Sequence, residues 1–145
     1  MVRAWILPLS LLALGSLMAA LLAVEEAPVA AAALLSAFVL LAALHSPLAF
    51  PRPVGAAEAE RRSAVDGRPV VYWRAGCKYC LRLRFRLGRD ARRVHWVDIW
   101  RDPAGAAVVR MANGGDETVP TVVVAGRAYV NPGPAWVRGQ LGSSG

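Results

Sequence analysis

The sequence predicts an α/β domain with a central mixed four-stranded sheet and the element order βαβαββα, preceded by two transmembrane helices. Three observations lead to this prediction. Charged residues are almost absent before residue 51, whereas the rest of the chain is polar enough to fold in water. Short apolar runs then alternate with segments of helical periodicity. Both cysteines lie where the first apolar run gives way to the first such segment.

The first 50 residues contain two long apolar segments. Residues 4–24 carry no charge, and a second uncharged segment covers residues 28–50. Each has about 20 residues, which at about 1.5 Å rise per residue matches a hydrocarbon core of about 30 Å. A cleaved signal peptide is the alternative for the first segment, but its apolar run exceeds the usual length of about 7–15 residues. We therefore expect residues 1–50 to form a transmembrane helical hairpin.

The distribution of arginine predicts how this hairpin is oriented. Arg3 precedes the first segment, and arginines follow the second at positions 52, 61 and 62, whereas the Glu25-Glu26 turn between the segments has none. Cytoplasmic loops are enriched in lysine and arginine. The sequence therefore predicts a multi-pass protein of the cell membrane, with both termini and the following domain in the cytoplasm.

Residues 51–67 are expected to form a linker and a short helix. Two prolines and a glycine make residues 51–55 typical of a linker. Residues 56–65 are rich in helix formers, and Asp66-Gly67 would end that helix.

Residues 68–141 contain the elements of the α/β domain. Asp102-Pro103 marks the start of one helix, since proline is favoured at the first helical position. The last residues, 142–145, are expected to form a flexible tail. Apolar runs predict strands, and helical periodicity predicts helices, over these ranges: strands 69–73, 94–99, 121–125 and 128–130; helices 77–87, 103–113 and 134–141.

Cys77 and Cys80 are the only cysteines of the chain, and their spacing allows three uses. A zinc site needs four ligands, and the remaining candidates are His45, in the second apolar segment, and His95. No metal is therefore expected, although one shared between two chains stays open. A structural disulfide across so small a loop would gain little stability.

The third use, a redox-active dithiol, agrees best with the position of the two cysteines. A cysteine at a helix N-terminus faces free N–H groups and the positive end of the helix dipole, which stabilise a thiolate. Lys78 and Arg74 add positive charge nearby. A C-x-x-C motif between a strand and a helix is typical of thiol–disulfide exchange.

Residues 69–136 resemble the glutaredoxin family, and within it the actinobacterial mycoredoxins most. The resemblance lies in these motifs: Cys77-x-Tyr79-Cys80, Val97-Asp98-Ile99, Asn113-Gly114-Gly115, Thr118-Val119-Pro120-Thr121-Val122 and Asn131-Pro132. It implies a thioredoxin fold in which a cis Val119–Pro120 bond faces the dithiol. It also implies that Cys77 attacks, that Cys80 resolves, and that no cofactor is bound. The residues implied in substrate binding are Lys78, Tyr79, Thr118, Val119 and Pro120.

Two departures from the family pattern bear on the small thiol. Lys78 replaces the usual proline of the C-P-Y-C motif. Asn131-Pro132-Gly133-Pro134 stands where glutathione-using members carry a glycine pair and an acidic residue. The second departure favours mycothiol over glutathione as the thiol co-substrate.

These features together predict a membrane-anchored thiol–disulfide oxidoreductase that reduces mixed disulfides between proteins and a low-molecular-weight thiol. A membrane-bound redox sensor or binding module could use the same dithiol without turnover. An extracytoplasmic disulfide oxidase is a further alternative, which would need the opposite orientation in the membrane.

The net charge of +7 raises the question of an anionic partner. Six arginines lie between Arg82 and Arg93. Attraction to anionic membrane lipid is one reading of this run, and a solvated helix face is the other. Binding of nucleic acid is not expected.

Overall fold

A computed structural model describes residues 3–142 and divides the chain into two compact units, with the boundary between Ala49 and Phe50. Of the predicted flexible tail, only Gly142 is described, as the last residue of a helix, and the other three residues lie outside the described part.

The first unit consists of two apolar helices, α1 (Arg3–Val24) and α2 (Pro28–His45). The helices pack closely at Gly15, where an added Cβ would lie 2.5 Å from Cβ of Phe38. Over most of their length the apolar side chains are exposed, as at Leu21 and Leu40. Both helices are long and apolar enough to span a membrane, with mean hydropathies of 2.2 and 2.1.

The second apolar helix is shorter than the sequence predicts. It ends at His45 instead of continuing to residue 50, and Pro47–Ala49 form a separate 3₁₀ turn. Ser46 takes an extended conformation, with φ −80° and ψ 157°, because a residue before proline is disfavoured in the helical region. The Ser46 hydroxyl donates a hydrogen bond of 2.8 Å to the carbonyl oxygen of Ala43.

The second unit has the predicted order of strands and helices. A four-stranded sheet has the strand order β2-β1-β3-β4, in which β1 and β2 are parallel and the two remaining pairs antiparallel. This confirms the predicted fold class of a mixed sheet with flanking helices. The elements are α3 (Ala56–Asp66), β1 (Val70–Trp73), α4 (Lys78–Leu87), β2 (His95–Asp98), α5 (Pro103–Ala112), β3 (Thr121–Val124), β4 (Arg127–Val130) and α6 (Pro134–Gly142), with a 3₁₀ turn at Gly88–Arg93.

Strand β1 lies at the centre of the core. Its four residues are buried, and Val71 pairs with Trp96 of β2 on one side and with Val122 of β3 on the other. Bulky β-branched and aromatic side chains of this kind suit a strand that is covered on both faces. On helix α4, Leu83 and Leu87 lie four residues apart and are both buried, so they mark the inner face of the helix.

The segment before α3 is part of the second unit and is not a free linker. The ring of Phe50 stacks on the ring of Trp73, with 3.7 Å between their centroids. The backbone N–H of Val54 donates to the carbonyl oxygen of Trp96 at 2.9 Å. The sequence assigned Phe50 to the second transmembrane segment, but the structure buries it in the core of the domain, because an aromatic ring gains more there than local composition can show.

Asp102 holds the start of two helices. One carboxylate oxygen accepts hydrogen bonds from the N–H groups of Ala104 and Gly105, which begin α5. The other accepts a hydrogen bond of 2.6 Å from the N–H of Ala56, the first residue of α3. The Ala56 N–H, followed by those of α5, holds the pKa of Asp102 below its ordinary value.

Candidate active site

The two cysteines lie where β1 gives way to α4. Gly76, with φ of 75°, turns the chain, and Cys77 occupies the N-cap position of α4. The N–H of Cys80 points back to Sγ of Cys77, at 3.4 Å. Cys77 is half-buried and Cys80 is fully buried, and neither forms a disulfide. The same motif thus presents one accessible sulfur and one shielded sulfur.

The segment before β3 faces the accessible sulfur. The Val119–Pro120 peptide bond is cis, as the resemblance implied. The thiol of Cys77 donates to the carbonyl oxygen of Val119 at 3.4 Å, so the dithiol and this segment meet although they are 42 residues apart. Val119 and Pro120 are buried, whereas Thr118 is exposed and makes no contact with the cysteines in the described hydrogen bonds.

The surroundings of Cys77 favour its ionised form. A hydrogen bond from the Cys80 thiol lowers the pKa of Cys77 to about 6, with further help from the N–H groups of Cys80 and Tyr79 and from the charge of Arg74. Partial burial acts in the opposite direction but is outweighed. Cys77 can therefore be a thiolate at neutral pH, which is the nucleophilic form of cysteine.

Cys80 has the opposite character. Burial raises the pKa of the Cys80 thiol far above its ordinary value, and the neighbouring Cys77 raises it further. Only one proton is therefore lost from the pair near neutral pH, and Cys77 loses it. Cys80 stays a thiol that donates to the thiolate beside it.

Lys78 and Tyr79 are exposed on the first turn of α4. The ammonium of Lys78 lies 5.0 Å from the ring centroid of Tyr79, a cation–π arrangement. The same Tyr79 lines a cleft of about 190 Å³ that is closed on its far side by residues 131–134. The structure thus places Tyr79, which precedes Cys80 on α4, in the lining of this cleft, and neither Lys78 nor a cysteine lines it.

Arg82 begins the arginine run of the sequence, but its position in this cleft was not predicted. It lies three positions after Tyr79 on α4, and residues at this spacing share a face of a helix. Helical periodicity could have identified it. Leu83 completes the lining.

Within the second unit, His95 is engaged by a carboxylate and not by the dithiol. Nε2 of His95 lies 3.0 Å from a carboxylate oxygen of Asp66. Within residues 3–142, no three side chains of His, Cys, Asp or Glu are grouped so that they could hold a metal ion. The reactive groups of this site are therefore the two cysteine sulfurs, and the carbonyl oxygen of Val119 is in contact with Cys77.

A larger cavity, of about 710 Å³, lies between α3, α5 and the sheet. Its lining contains no cysteine, and its polar groups are those of Glu60 and Ser63. Size alone does not make it the reactive site, since the nucleophile and its activating groups are elsewhere.

Comparison with known proteins agrees with this geometry. The family model described as Glutaredoxin matches residues 70–129, from the start of β1 into β4. Two curated proteins of Mycobacterium tuberculosis are each 39% identical to the chain over 73 residues, a stretch that covers 50% of this chain and 87% of each relative. Their names are "Putative glutaredoxin MT3292", in strain CDC 1551, and "Putative glutaredoxin Rv3198A", in strain H37Rv.

Proposed function

The chain belongs to the glutaredoxin family, and we propose that it is a membrane-anchored oxidoreductase that reduces mixed disulfides between proteins and a low-molecular-weight thiol. Cys77 is the attacking cysteine and Cys80 is the resolving one. The thiol and the thiol-modified protein are its substrates, and it needs no bound cofactor.

The unequal pair of sulfurs is the observation that carries this proposal. A nucleophile must be ionised and reachable, and Cys77 is both, with a pKa lowered to about 6 by the Cys80 hydrogen bond and the helix N–H groups. A resolving cysteine must wait until a mixed disulfide forms beside it. Cys80 is buried and protonated, and it lies in contact with Cys77.

In the first step, the Cys77 thiolate attacks the small-thiol sulfur of a mixed disulfide. The bond between the two substrate sulfurs breaks, the protein leaves as its thiolate, and Cys77 carries the small thiol. The backbone of Val119, which already contacts Cys77, is placed to align an extended substrate, and Tyr79 lies beside the path of the sulfur.

In the second step, another molecule of the small thiol attacks this adduct. Cys77 is released as a thiolate, and the two small thiols leave joined by a disulfide. Alternatively, the Cys80 thiol loses its proton and closes an internal disulfide, which releases one small thiol. The first route needs only Cys77.

We propose mycothiol as the preferred small thiol. The cleft beside Tyr79 is formed by Asn131, the Pro132–Pro134 turn and Arg82, and none of these residues is acidic. It therefore offers no carboxylate to the ammonium group of glutathione. Arg82 is the one charged residue of the described lining and could meet a glutathione carboxylate, so both thiols need to be compared.

The test uses the full chain in a nonionic detergent, with one reporter peptide linked by a disulfide to mycothiol or to glutathione. We expect turnover of both, with kcat/KM higher for the mycothiol disulfide by about tenfold, which corresponds to one interaction of about 1.4 kcal/mol. A preference for glutathione would contradict the choice of thiol. Failure to turn over either substrate would contradict the proposed oxidoreductase activity and favour a redox sensor or binding module.

The membrane anchor in this proposal is the hairpin of α1 and α2. The core helix of a soluble protein would be mostly buried, whereas in the described residues only 17% of an 18-residue stretch of α1 and 11% of one of α2 are buried. Their exposed leucines would be costly in water and favourable in lipid.

We further propose that both termini and the redox domain are cytoplasmic, because the arginines flank the hairpin and the Glu25-Glu26 turn has none. A reporter enzyme that is active only outside the cytoplasm, fused to the C-terminus, is expected to stay inactive. Strong reporter activity would reverse the orientation and would favour an extracytoplasmic disulfide oxidase.

A further inference from the structure

A basic cleft of about 250 Å³ lies beside β2, and neither cysteine lines it. We call it the Arg52 cleft. No carboxylate of residues 3–142 lines it, and its charged or titratable lining consists of Arg52, Arg62, Arg68, Arg92 and His95. The arginines come from the segment before α3, from α3 and the turn after it, and from the 3₁₀ turn before β2, and His95 is the first residue of β2.

Two of these arginines are available to an anion. Among the described residues, no hydrogen bond or ion pair engages the side chain of Arg52 or that of Arg92, and both are exposed. The Nε of Arg62 donates to Glu58 at 2.6 Å. The Nε of Arg68 forms an ion pair of 3.7 Å with a carboxylate oxygen of Asp66, and that oxygen also lies 3.0 Å from Nε2 of His95. Glu58 and Asp66 thus offset the charge of Arg62 and Arg68, and Arg52 and Arg92 leave the cleft with an excess of positive charge.

The rest of the lining is apolar. It consists of Pro51, Val54, Val94 and Trp96. Of these four, Val94 and Trp96 are buried, and Pro51 and Val54 are the partly exposed ones. A free phosphate would gain nothing from the apolar carbon of Pro51 and Val54, whereas a phosphodiester with a glycerol backbone presents an anion and apolar carbon together. A nucleic acid would use a longer basic track and an exposed aromatic face for its bases. Trp96 is only 2% exposed and offers no such face.

We propose that the Arg52 cleft binds the phosphate of an anionic phospholipid headgroup. The inference rests on the proposed membrane hairpin, since Arg52 follows His45, the last residue of α2, by seven positions. The backbone on both sides of Arg52 is held, by the stacking of Phe50 and by the hydrogen bond of Val54. The cleft is therefore formed before lipid arrives, and little ordering is needed on binding.

The experiment compares phosphatidylglycerol with phosphatidylcholine of the same acyl chains. The full chain is purified in a nonionic detergent and freed of lipid, and native mass spectrometry then measures how much of each lipid it retains. We expect selective retention of one phosphatidylglycerol. The double variant Arg52→Gln/Arg92→Gln should bind it about thirtyfold more weakly, the factor expected for two arginines near an anionic headgroup.

The matched control is Arg89→Gln/Arg127→Gln. Both control arginines are exposed, the described contacts give their side chains no partner, and the loss of charge is the same. This control should retain phosphatidylglycerol as the unmodified chain does. If both double variants lost phosphatidylglycerol equally, the proposal would be overturned, because the net charge of the protein would then explain the binding. Equal retention of the two lipids would also overturn it.

Two competitors separate the sources of the anion. Inorganic phosphate at the concentration of the lipid is expected to displace none of it, and displacement would indicate a site for free phosphate instead. A single-stranded oligonucleotide that bound more tightly than the lipid, and lost affinity in Arg52→Gln/Arg92→Gln, would replace the lipid with nucleic acid.

Failure of this inference can be told apart from failure of the proposed function. Arg52→Gln/Arg92→Gln should reduce the mixed disulfide at the normal rate in detergent, which also shows that the variant is folded. If the unmodified chain turned over the mixed disulfide normally but retained no lipid selectively, only the proposed lipid site would be contradicted. If that chain retained the lipid selectively but did not turn over the disulfide, the lipid site would be supported and the proposed oxidoreductase activity would be contradicted.

Discussion

Replacing Cys77 with serine is expected to abolish reduction of the mixed disulfide, down to the rate of uncatalysed exchange. A serine hydroxyl is not ionised near neutral pH, so this change removes the nucleophile. Of the two cysteines, only Cys77 is accessible and has a lowered pKa, and the main cause of that lowering is the hydrogen bond from the Cys80 thiol. The measurement is turnover of the reporter peptide with the small thiol supplied. Wild-type turnover in this variant would show that the C-K-Y-C motif is not the reactive site.

Replacing Cys80 with serine is the matched change, and it should preserve much of the activity. The first attack and the release by a second small thiol both use Cys77, so the main loss should be formation of the internal disulfide. A Cys80→Ser variant as inactive as Cys77→Ser would show that the reaction needs both cysteines, as in thioredoxin.

The pH dependence of Cys77 alkylation tests the hydrogen bond that the Cys80 thiol donates to Cys77. Iodoacetamide reacts with the thiolate, so labelling of Cys77 should rise with pH and reach half its maximum near a pKa of about 6, set mainly by the Cys80 thiol. Cys80→Ala removes that donor and should move the midpoint to higher pH. Cys80→Ser keeps a donor and should move it less. The same midpoint in both variants would show that the helix N–H groups, not residue 80, set the pKa.

Phe50→Ala should lower the free energy of unfolding of the redox domain by about 3–5 kcal/mol, the usual cost of removing a buried phenyl ring. Phe50 is 7% exposed, and its ring stacks on Trp73 and meets the edge of Trp96 at 5.6 Å. Its loss would leave a cavity between two large rings that cannot both move to fill it. Denaturant unfolding of the full chain in detergent, followed by tryptophan fluorescence, measures the effect.

Phe85→Ala makes the same chemical change on the exposed side of α4. Phe85 is 56% exposed, so its removal should change stability by no more than about 0.5 kcal/mol. If both substitutions had equally small effects, Phe50 would not be part of the domain core and the boundary of the domain would lie after it.

The elements of the redox domain could be predicted because their signals are local. Buried β-branched runs indicate strands such as Val70–Trp73, and the spacing of Leu83 and Leu87 indicates the inner face of α4. The dithiol was identified for the same reason, since a strand, a turn and a helix start are contained in a few residues. The order of the elements then restricts the sheet to few arrangements.

Features that depend on contacts distant in sequence could not be predicted in this way. Phe50 continues an apolar segment, so local composition assigns it to the membrane, and only the distant Trp73 shows otherwise. The cleft beside Tyr79 joins α4 to residues 131–134, which lie some 50 positions later in the chain. The four arginines of the Arg52 cleft are separated by up to 40 positions, and the arginine run at 82–93 contributes only Arg92 to its lining.

The hydrogen bond between Val54 and Trp96 also bears on whether copies of this protein associate with one another. Strand β2 is one border of the sheet, and an open border can pair with the border of another chain and start aggregation. The segment from Phe50 to Gly55 occupies part of that border. A fragment beginning after Gly55 would uncover it and lose solubility, whereas one beginning before Phe50 would keep it covered. We therefore expect the residues between α2 and α3 also to reduce association between copies of the protein.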